Sequence, residues 1–287
     1  GPSVFFCGGM HGDEINGSMI MKKFVDWADQ DKLAEKLSGK IDVIALINPS
    51  GFAHQQRNVF EDNNDLNRSF GVENPTTFSE FMAQELMKNI FTKCEFGVDF
   101  HSSGMDGALL PHTRIHVSEE EHYQTSTREI AQLFGTAIVL ERQGEKGMLA
   151  VEMKTHYQKS VLTVEIGGDS KLFGDYHEKA LLGIQNILIG KHMIEGSVNI
   201  PLKQYSVDDR FGVSIIEPAI VEFDKELGDY VKSGDRVGKL YFPLKNKTQD
   251  IITPIGGIIF SRWQYNQAPA GTKIYNIVEL NDDPNNK

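Results

Sequence analysis

Cysteine is scarce. Cys7 and Cys94 are the only two in 287 residues, and each lies inside an apolar run, SVFFCGG and FTKCEFGV. Two thiols cannot form a disulfide framework, so both read as small buried hydrophobes of a reducing compartment. Long hydrophobic runs are lacking too: none approaches the roughly 18 residues of a membrane span, and no membrane partner is expected. No secretory leader pattern is visible, which with reduced thiols makes a cytoplasmic location the expectation. Positive charge is in deficit, with 29 Lys and Arg against 40 Asp and Glu and a net charge of −11. Binding duplex needs a concentrated cationic face. No basic stripe exists, so nucleic acid is not an expected partner. What is present is 40% hydrophobic residues, a composition that supports a globular core and excludes a disordered chain.

The length suits one large domain or a large one joined to a small one. From Ser3 to about Ile194, short β-branched or aromatic runs alternate with helical periodicities. SVFFC (3–7), IDVIALI (41–47), FGVDF (96–100), TRIHV (113–117), AIVLE (137–141) and VLTVEI (161–166) read as strands. Their continuous apolar centres suggest burial on both faces. Helices are predicted after Gly12, where Ile15, Met19, Ile20, Phe24 and Trp27 recur at helical spacing, and over 77–91, 118 onward and 176–194. Thr77 with Glu80, and Ser118 with Glu121, stand in capping-box positions. The pattern predicts an α/β fold, a largely parallel or mixed sheet covered by helices. After residue 194 the texture changes to apolar runs punctuated by Gly and Pro, with turn signals such as Lys232-Ser233-Gly234-Asp235. A catalytic domain over 1–198 and an all-β domain over 199–287 are expected, and the tail NDDPNNK is expected to fray.

Four segments carry chemistry. GGMHGDEING (8–17) follows the first strand and places His11 and Glu14 three residues apart, so that their side chains can converge. Imidazole nitrogen and carboxylate oxygen suit Zn2+; a hydrogen-bonded loop histidine is the plainer reading. VDFHSSG (98–104) puts His101 at the C-terminal end of an apolar strand, where open α/β sheets bind ligands. A third ligand there would leave one coordination position open, as catalytic zinc requires, and Asp99 could orient the imidazole. In VLTVEIGG, Glu165 ends a β-branched strand, either paired with an arginine or acting as a general base. The long irregular segment NPSGFAHQQRNVFEDNNDLNRSF (48–70) carries Arg57, Asp65, Asn67 and Arg68. Its arginines either neutralise Glu61, Asp62 and Asp65 or recognise a carboxylate and a developing oxyanion. Other signatures fail. There is no GxxxxGK[ST], no HExxH, and Ser102 and Ser103 lack a GxSxG context.

In this order, GGMHGDEING, NPSGF, an Arg followed by DLNR, DFHSS and VEIGG resemble the succinylglutamate desuccinylase/aspartoacylase family, a branch of the zinc carboxypeptidase-like fold. The likeness spans about residues 1–195. It implies a mixed eight-stranded sheet between helices and one Zn2+ per chain held by His11, Glu14 and His101. Glu165 would act as general base and later acid, Arg57 would polarise the scissile carbonyl, and Asn67 and Arg68 would bind a substrate carboxylate. The implied reaction is hydrolysis of a small N-acyl amino acid or related amide. A metallocarboxypeptidase is the alternative within the same chemistry, and a non-catalytic binding protein the alternative outside it. Arg114 and Arg142 are candidate further contacts. The remaining histidines, among them His112 and His116, read as surface or packing residues. The β region resembles that family's barrel-like C-terminal module, and more faintly a biotinyl/lipoyl carrier. Lys245 and Lys247 lack the carrier's Met-Lys motif, so a lid or wall is expected there. Self-association stays open.

Overall fold

A computed structural model describes residues 1–104, 107–117, 121–168, 171–201 and 203–280, with 121–124 described as backbone. In chain order its elements are β1 (Ser3–Gly8), α1 (Ile15–Gln30), α2 (Leu33–Lys36), β2 (Lys40–Ile44), α3 (Pro49–Ala53), α4 (Phe78–Asn89) and β3 (Phe96–His101). Then come β4 (Gly107–His116), α5 (Glu121–Phe134), β5 (Ile138–Arg142), α6 (Leu149–Tyr157), β6 (Ser160–Gly168) and α7 (Gly174–Gly190). The C-terminal part supplies β7 (Tyr205–Val207), β8 (Phe211–Ser214), β9 (Ala219–Phe223), β10 (Tyr230–Val231), β11 (Arg236–Phe242), β12 (Lys247–Ile252), β13 (Gly257–Trp263), β14 (Gln267–Ala268) and β15 (Lys273–Val278). The Ser118 cap and the tail 281–287 lie outside the described residues.

An apolar strand such as β1 needs cover on both faces, and the pleat sends its residues alternately to each. Val4 and Phe6 enter one core with Ile20 and Phe24 of α1 and Ile184 and Leu188 of α7. Phe5 and Cys7 enter the other with Ala83 and Met87 of α4 and Leu149 and Met153 of α6. Each large side chain so buried contributes roughly 1.5–3 kcal/mol. The Thr77 hydroxyl accepts from the Glu80 amide while the Glu80 carboxylate accepts from the Thr77 amide, the reciprocal cap read from the sequence.

Parallel pairing orders the first part of the sheet β2-β1-β3-β6, with β4 antiparallel to β6. The chain leaves β1 toward β2 on one side, whereas it leaves β3 toward β4 on the other. This makes a topological switch point, and ligands of open α/β sheets bind outside the strand ends there. The main path has eight strands, β2-β1-β3-β6-β4-β13-β15-β8, three of them from beyond residue 198; β5, β7 and β10 pair off it to give eleven strands among the described residues. The sheet therefore runs on through the C-terminal part: Gly107, Ala108 and Leu109 of β4 pair with Trp263, Arg262 and Ser261 of β13. That pairing explains why β4 begins well before the predicted TRIHV run. β2 conversely stops at Ile44, because the amides of Ile47 and Asn48 turn to the carbonyls of Gly8 and Gly9.

A second, four-stranded sheet, β12-β11-β9-β14, encloses a core with Val221, Leu240, Ile259 and Tyr275. Lys245 sits in a 3-10 turn at Pro243–Lys245 and pairs with Glu217. No helix among the described residues is long and apolar enough to cross a membrane.

Candidate metal centre and catalytic cleft

Leaving β1, the chain must turn sharply to reach α1. Gly9 adopts a left-handed φ of +67°, and Gly12 lies so close to the Gly51–Phe52 backbone that a Cβ there would come within 2.0 Å of it. Between these glycines and α1 stand His11 and Glu14. His101 ends β3, the neighbouring strand across the switch point. All three side chains are buried, at 3%, 3% and 4% exposure.

Their donor atoms converge. His11 Nδ1 lies 2.8 Å from Glu14 Oε1, His101 Nδ1 lies 3.0 Å from Glu14 Oε2, and the two Nδ1 atoms are 3.3 Å apart. The outer nitrogens are held alike. His11 Nε2 donates to Asp65 Oδ1 at 3.1 Å, and His101 Nε2 donates to Asp99 Oδ2 at 2.8 Å. Carboxylates behind both imidazoles fix the tautomer that presents Nδ1 to the shared point. Burial opposes charge on the rings, but Glu14 and Asp65 raise the His11 pKa, and Asp99 and Glu14 raise that of His101 well above its ordinary value. Burial likewise opposes ionisation of Glu14, yet the two histidines hold it well below the usual carboxylate range.

Two imidazole nitrogens facing each other at this distance cannot both carry protons without repulsion; a shared cation removes the conflict. Zinc bound at about 2.0–2.1 Å in tetrahedral geometry spaces its nitrogen ligands about 3.3–3.4 Å apart. The donor set His11, Glu14 and His101, whose ligand atoms lie within 4.8 Å of one another, fits that requirement.

The strand registers extend a polar row along the sheet. Cys7 pairs with Asp99, Asp99 with Thr163, His101 with Glu165, Thr163 with Arg114 and Glu165 with His112. Residues directly opposite one another share a face, so Glu165 stands beside His101 at 6% exposure. Its Oε1 accepts from an Arg114 terminal nitrogen at 2.8 Å. An arginine thus pairs with Glu165, one of the two sequence readings, and the carboxylate also lines the cleft.

Arg57 donates to Glu14 Oε1 at 3.1 Å and, through two nitrogens, to Asp65 Oδ2 at 3.0 and 3.2 Å. Although burial opposes its charge, Asp65 is held well below the usual range by His11 and Arg57. Asn67 is more committed than the sequence suggests: its side-chain oxygen accepts from the Leu149 amide at 2.9 Å, at the start of α6. Its amide nitrogen lies 3.5 Å from His101 Nε2. Arg68 reaches the exposed Glu145 at 2.9 Å and the Asn67 carbonyl at 2.7 Å.

These groups line a cleft of about 270 Å³. Four arginines enter it, Arg57, Arg68, Arg114 and Arg210; Arg142 is not among its lining residues. Sequence reasoning missed Arg210, which precedes β8 in the C-terminal part. Its guanidinium has no hydrogen-bond or ion-pair partner among the described residues. Burial, with Arg114 and Arg142 close by, lowers its pKa. His116 lines the cleft as well, whereas His112 is a buried packing residue, as the sequence reading has it. With Arg114 they occupy alternate positions of β4, in PHTRIH, and this two-residue spacing was the available signal for His116. Burial and the charges of Arg114, Arg142, Lys154 and His101 push His116 down to about 3. A larger cavity of about 680 Å³ elsewhere is mainly apolar and contains none of the converging groups.

Comparison with known proteins identifies the family and the fold. The model of the succinylglutamate desuccinylase/aspartoacylase catalytic domain matches residues 1–190. A curated relative, the N-alpha-acetyl-L-2,4-diaminobutyric acid deacetylase of Halomonas elongata, is 24% identical over 247 residues, covering 84% of this chain and 71% of its own. Among solved structures, a succinylglutamate desuccinylase from Silicibacter superposes with a TM-score of 0.85 at 21% identity, covering 97% of this chain and 86% of that one. The product-bound ectoine utilization protein EutE (DoeB) of Ruegeria pomeroyi gives 0.85 at 22% identity, with 97% and 85% covered. With its catalytic-domain match spanning two thirds of the sequence, the chain belongs to the succinylglutamate desuccinylase/aspartoacylase family.

Proposed function

We propose that the protein is a zinc-dependent hydrolase that cleaves the amide bond of a small N-acyl amino acid or related carboxylate-bearing amide. The observation that carries this reading is the meeting of His11, Glu14 and His101 at the switch point with Glu165 directly opposite His101. The three donors would hold Zn2+, which when bound supplies Lewis acidity toward water and the amide carbonyl. Glu165 takes a proton from the attacking water and returns it to the leaving nitrogen. Arg57, anchored on Glu14 and Asp65, faces the carbonyl oxygen and steadies its developing negative charge. Arg68 exchanges its exposed partner Glu145 for the substrate carboxylate, and Asn67 fixes the neighbouring backbone and offers its amide N–H.

Four arginines around one small cleft in a chain of net charge −11 support an anionic substrate. The cleft lies just below the roughly 300–1,000 Å³ range of drug-sized pockets, which supports a small molecule over a peptide and favours the amidohydrolase over the carboxypeptidase. A silent binding protein has no use for a carboxylate poised opposite the metal ligands. The Halomonas relative's name, a deacetylase of an N-alpha-acetyl amino acid, supports deacylation of a small N-acyl amino acid.

The test is a panel of N-acyl amino acids and short peptides assayed with zinc present. One Zn2+ per chain and amide cleavage are expected. Glu165→Gln should keep the metal and lose about a hundred- to ten-thousandfold in turnover. Full activity in metal-free protein would overturn the ligand assignment.

A further inference from the structure

We propose that His112 is a positioning residue for this reaction: a neutral imidazole that orients Arg114, which in turn orients Glu165. The inference rests on Glu165 being the base and adds a residue outside the family motifs.

The geometry begins with a proline. Leu109 pairs with Gly167 and His112 with Glu165, so three steps along β4 span two along β6. The extra residue is a β-bulge, and Pro111, which has no N–H to give a ladder, lies within it. The Leu110 carbonyl there meets His112 Nδ1 at 2.9 Å. A carbonyl only accepts, so Nδ1 carries the proton. On the other side of the ring, Arg114 Nε donates to His112 Nε2 at 3.1 Å. A guanidinium only donates, so Nε2 must present its lone pair. Both contacts demand the same neutral tautomer. Burial, with Arg114 and Arg210 close by, lowers the His112 pKa well below its ordinary value, in keeping with that state.

Arg114 then reaches Glu165 Oε1 through a terminal nitrogen at 2.8 Å. Held at Nε by the imidazole, the guanidinium plane cannot swing, and the fork sets the carboxylate's direction. His112 is itself clamped. It is 0% exposed, and Phe260 of β13 packs against its ring with centroids 4.4 Å apart. The C-terminal strands thus support the base from behind.

Misplacing a reacting group by about 1 Å can cost a hundredfold in rate. In zinc-loaded protein, His112→Leu should lower kcat about ten- to a hundredfold while KM and zinc content stay near wild type. His112→Gln, whose carbonyl can accept from Arg114 and whose amide can donate to Leu110, should recover most of the loss. A merely structural histidine would show no such rescue. Unchanged kcat in His112→Leu overturns the proposal, as does a raised KM with kcat retained, which would make Arg114 a substrate ligand. Should His112→Leu fail to fold, the imidazole nitrogen resonances of the wild type decide: Nδ1–H with an unprotonated Nε2 supports the chain of contacts, and the reverse tautomer overturns it. Wild-type protein inert toward every amide would overturn the hydrolase reading itself, and is told apart because the variants would then have no activity to lose.

Discussion

Replacing Asp99 with Asn should weaken zinc binding without removing a ligand. Asp99 is 2% exposed, and its two oxygens accept from His101 Nε2 at 2.8 Å and from the Cys7 thiol at 3.4 Å. Opposite unit charges about 4 Å apart interact by about 4 kcal/mol at an effective dielectric near 20. That figure is an upper bound here, because a metal-bound imidazole carries only part of a charge and Asn still offers an accepting oxygen. The expected loss is about 1.4–2.8 kcal/mol, a ten- to hundredfold weaker zinc affinity. Asp65→Asn provides an internal comparison. Its carboxylate stands behind His11 at 3.1 Å, but it is 21% exposed and already shares its charge with Arg57. Solvent and the arginine attenuate what His11 gains, so Asp65→Asn should lose less than Asp99→Asn. Competition with a chromophoric chelator at one fixed pH above neutrality measures both affinities. Wild-type affinity in Asp99→Asn, or a larger loss in Asp65→Asn, would refute the view that these carboxylates tune the ligands in proportion to their burial.

Arg210→Ala should raise KM for carboxylate-bearing amides about tenfold or more, the cost of one charge-assisted contact, with a much smaller effect on uncharged analogues; steady-state kinetics on matched substrates checks this, and equal losses on both would show that the residue is structural. His116→Gln should flatten the acid limb of the stability curve. The folded pKa of His116, about 3, lies below the ordinary 6.5, so its contribution is full above about 6.5 and is lost as pH falls toward the folded value. In that window the wild type should lose about 1.4 kcal/mol more per pH unit than the variant. Urea unfolding at several pH values with chelator present reads the difference, and parallel curves would contradict it.

The two sets of residues, those the sequence disclosed and those it hid, differ in how their positions are determined. His11 and Glu14 are three apart at a strand exit, so their convergence follows from local geometry, and His101 follows from the rule that ligands gather at strand ends. Glu165 was visible as an ionisable group closing a β-branched strand, though the identity of its arginine was not. What stayed hidden depends on register. Cys7, Asp99, Thr163 and Arg114 fall in one row only because β1, β3, β6 and β4 pair as they do, and no spacing along the chain encodes that alignment. His112 looks like a packing residue until the bulge at Pro111 gives its Nδ1 a carbonyl to meet. Arg210 is more remote still: it reaches the cleft because the sheet continues through β13, β15 and β8, a pairing decided by tertiary packing. The same continuity accounts for the strand count, since five of the eight strands on the main path come from the part of the chain that carries the motifs and the other three from the part that carries none. A cleft whose ligands are set by local sequence and whose charged wall is set by distant pairing can keep one reaction while changing what it admits. Arg210 and the strand positions around it are therefore where substitutions should alter substrate choice, while those at His11, Glu14, His101 and Glu165 should lower turnover on every substrate alike.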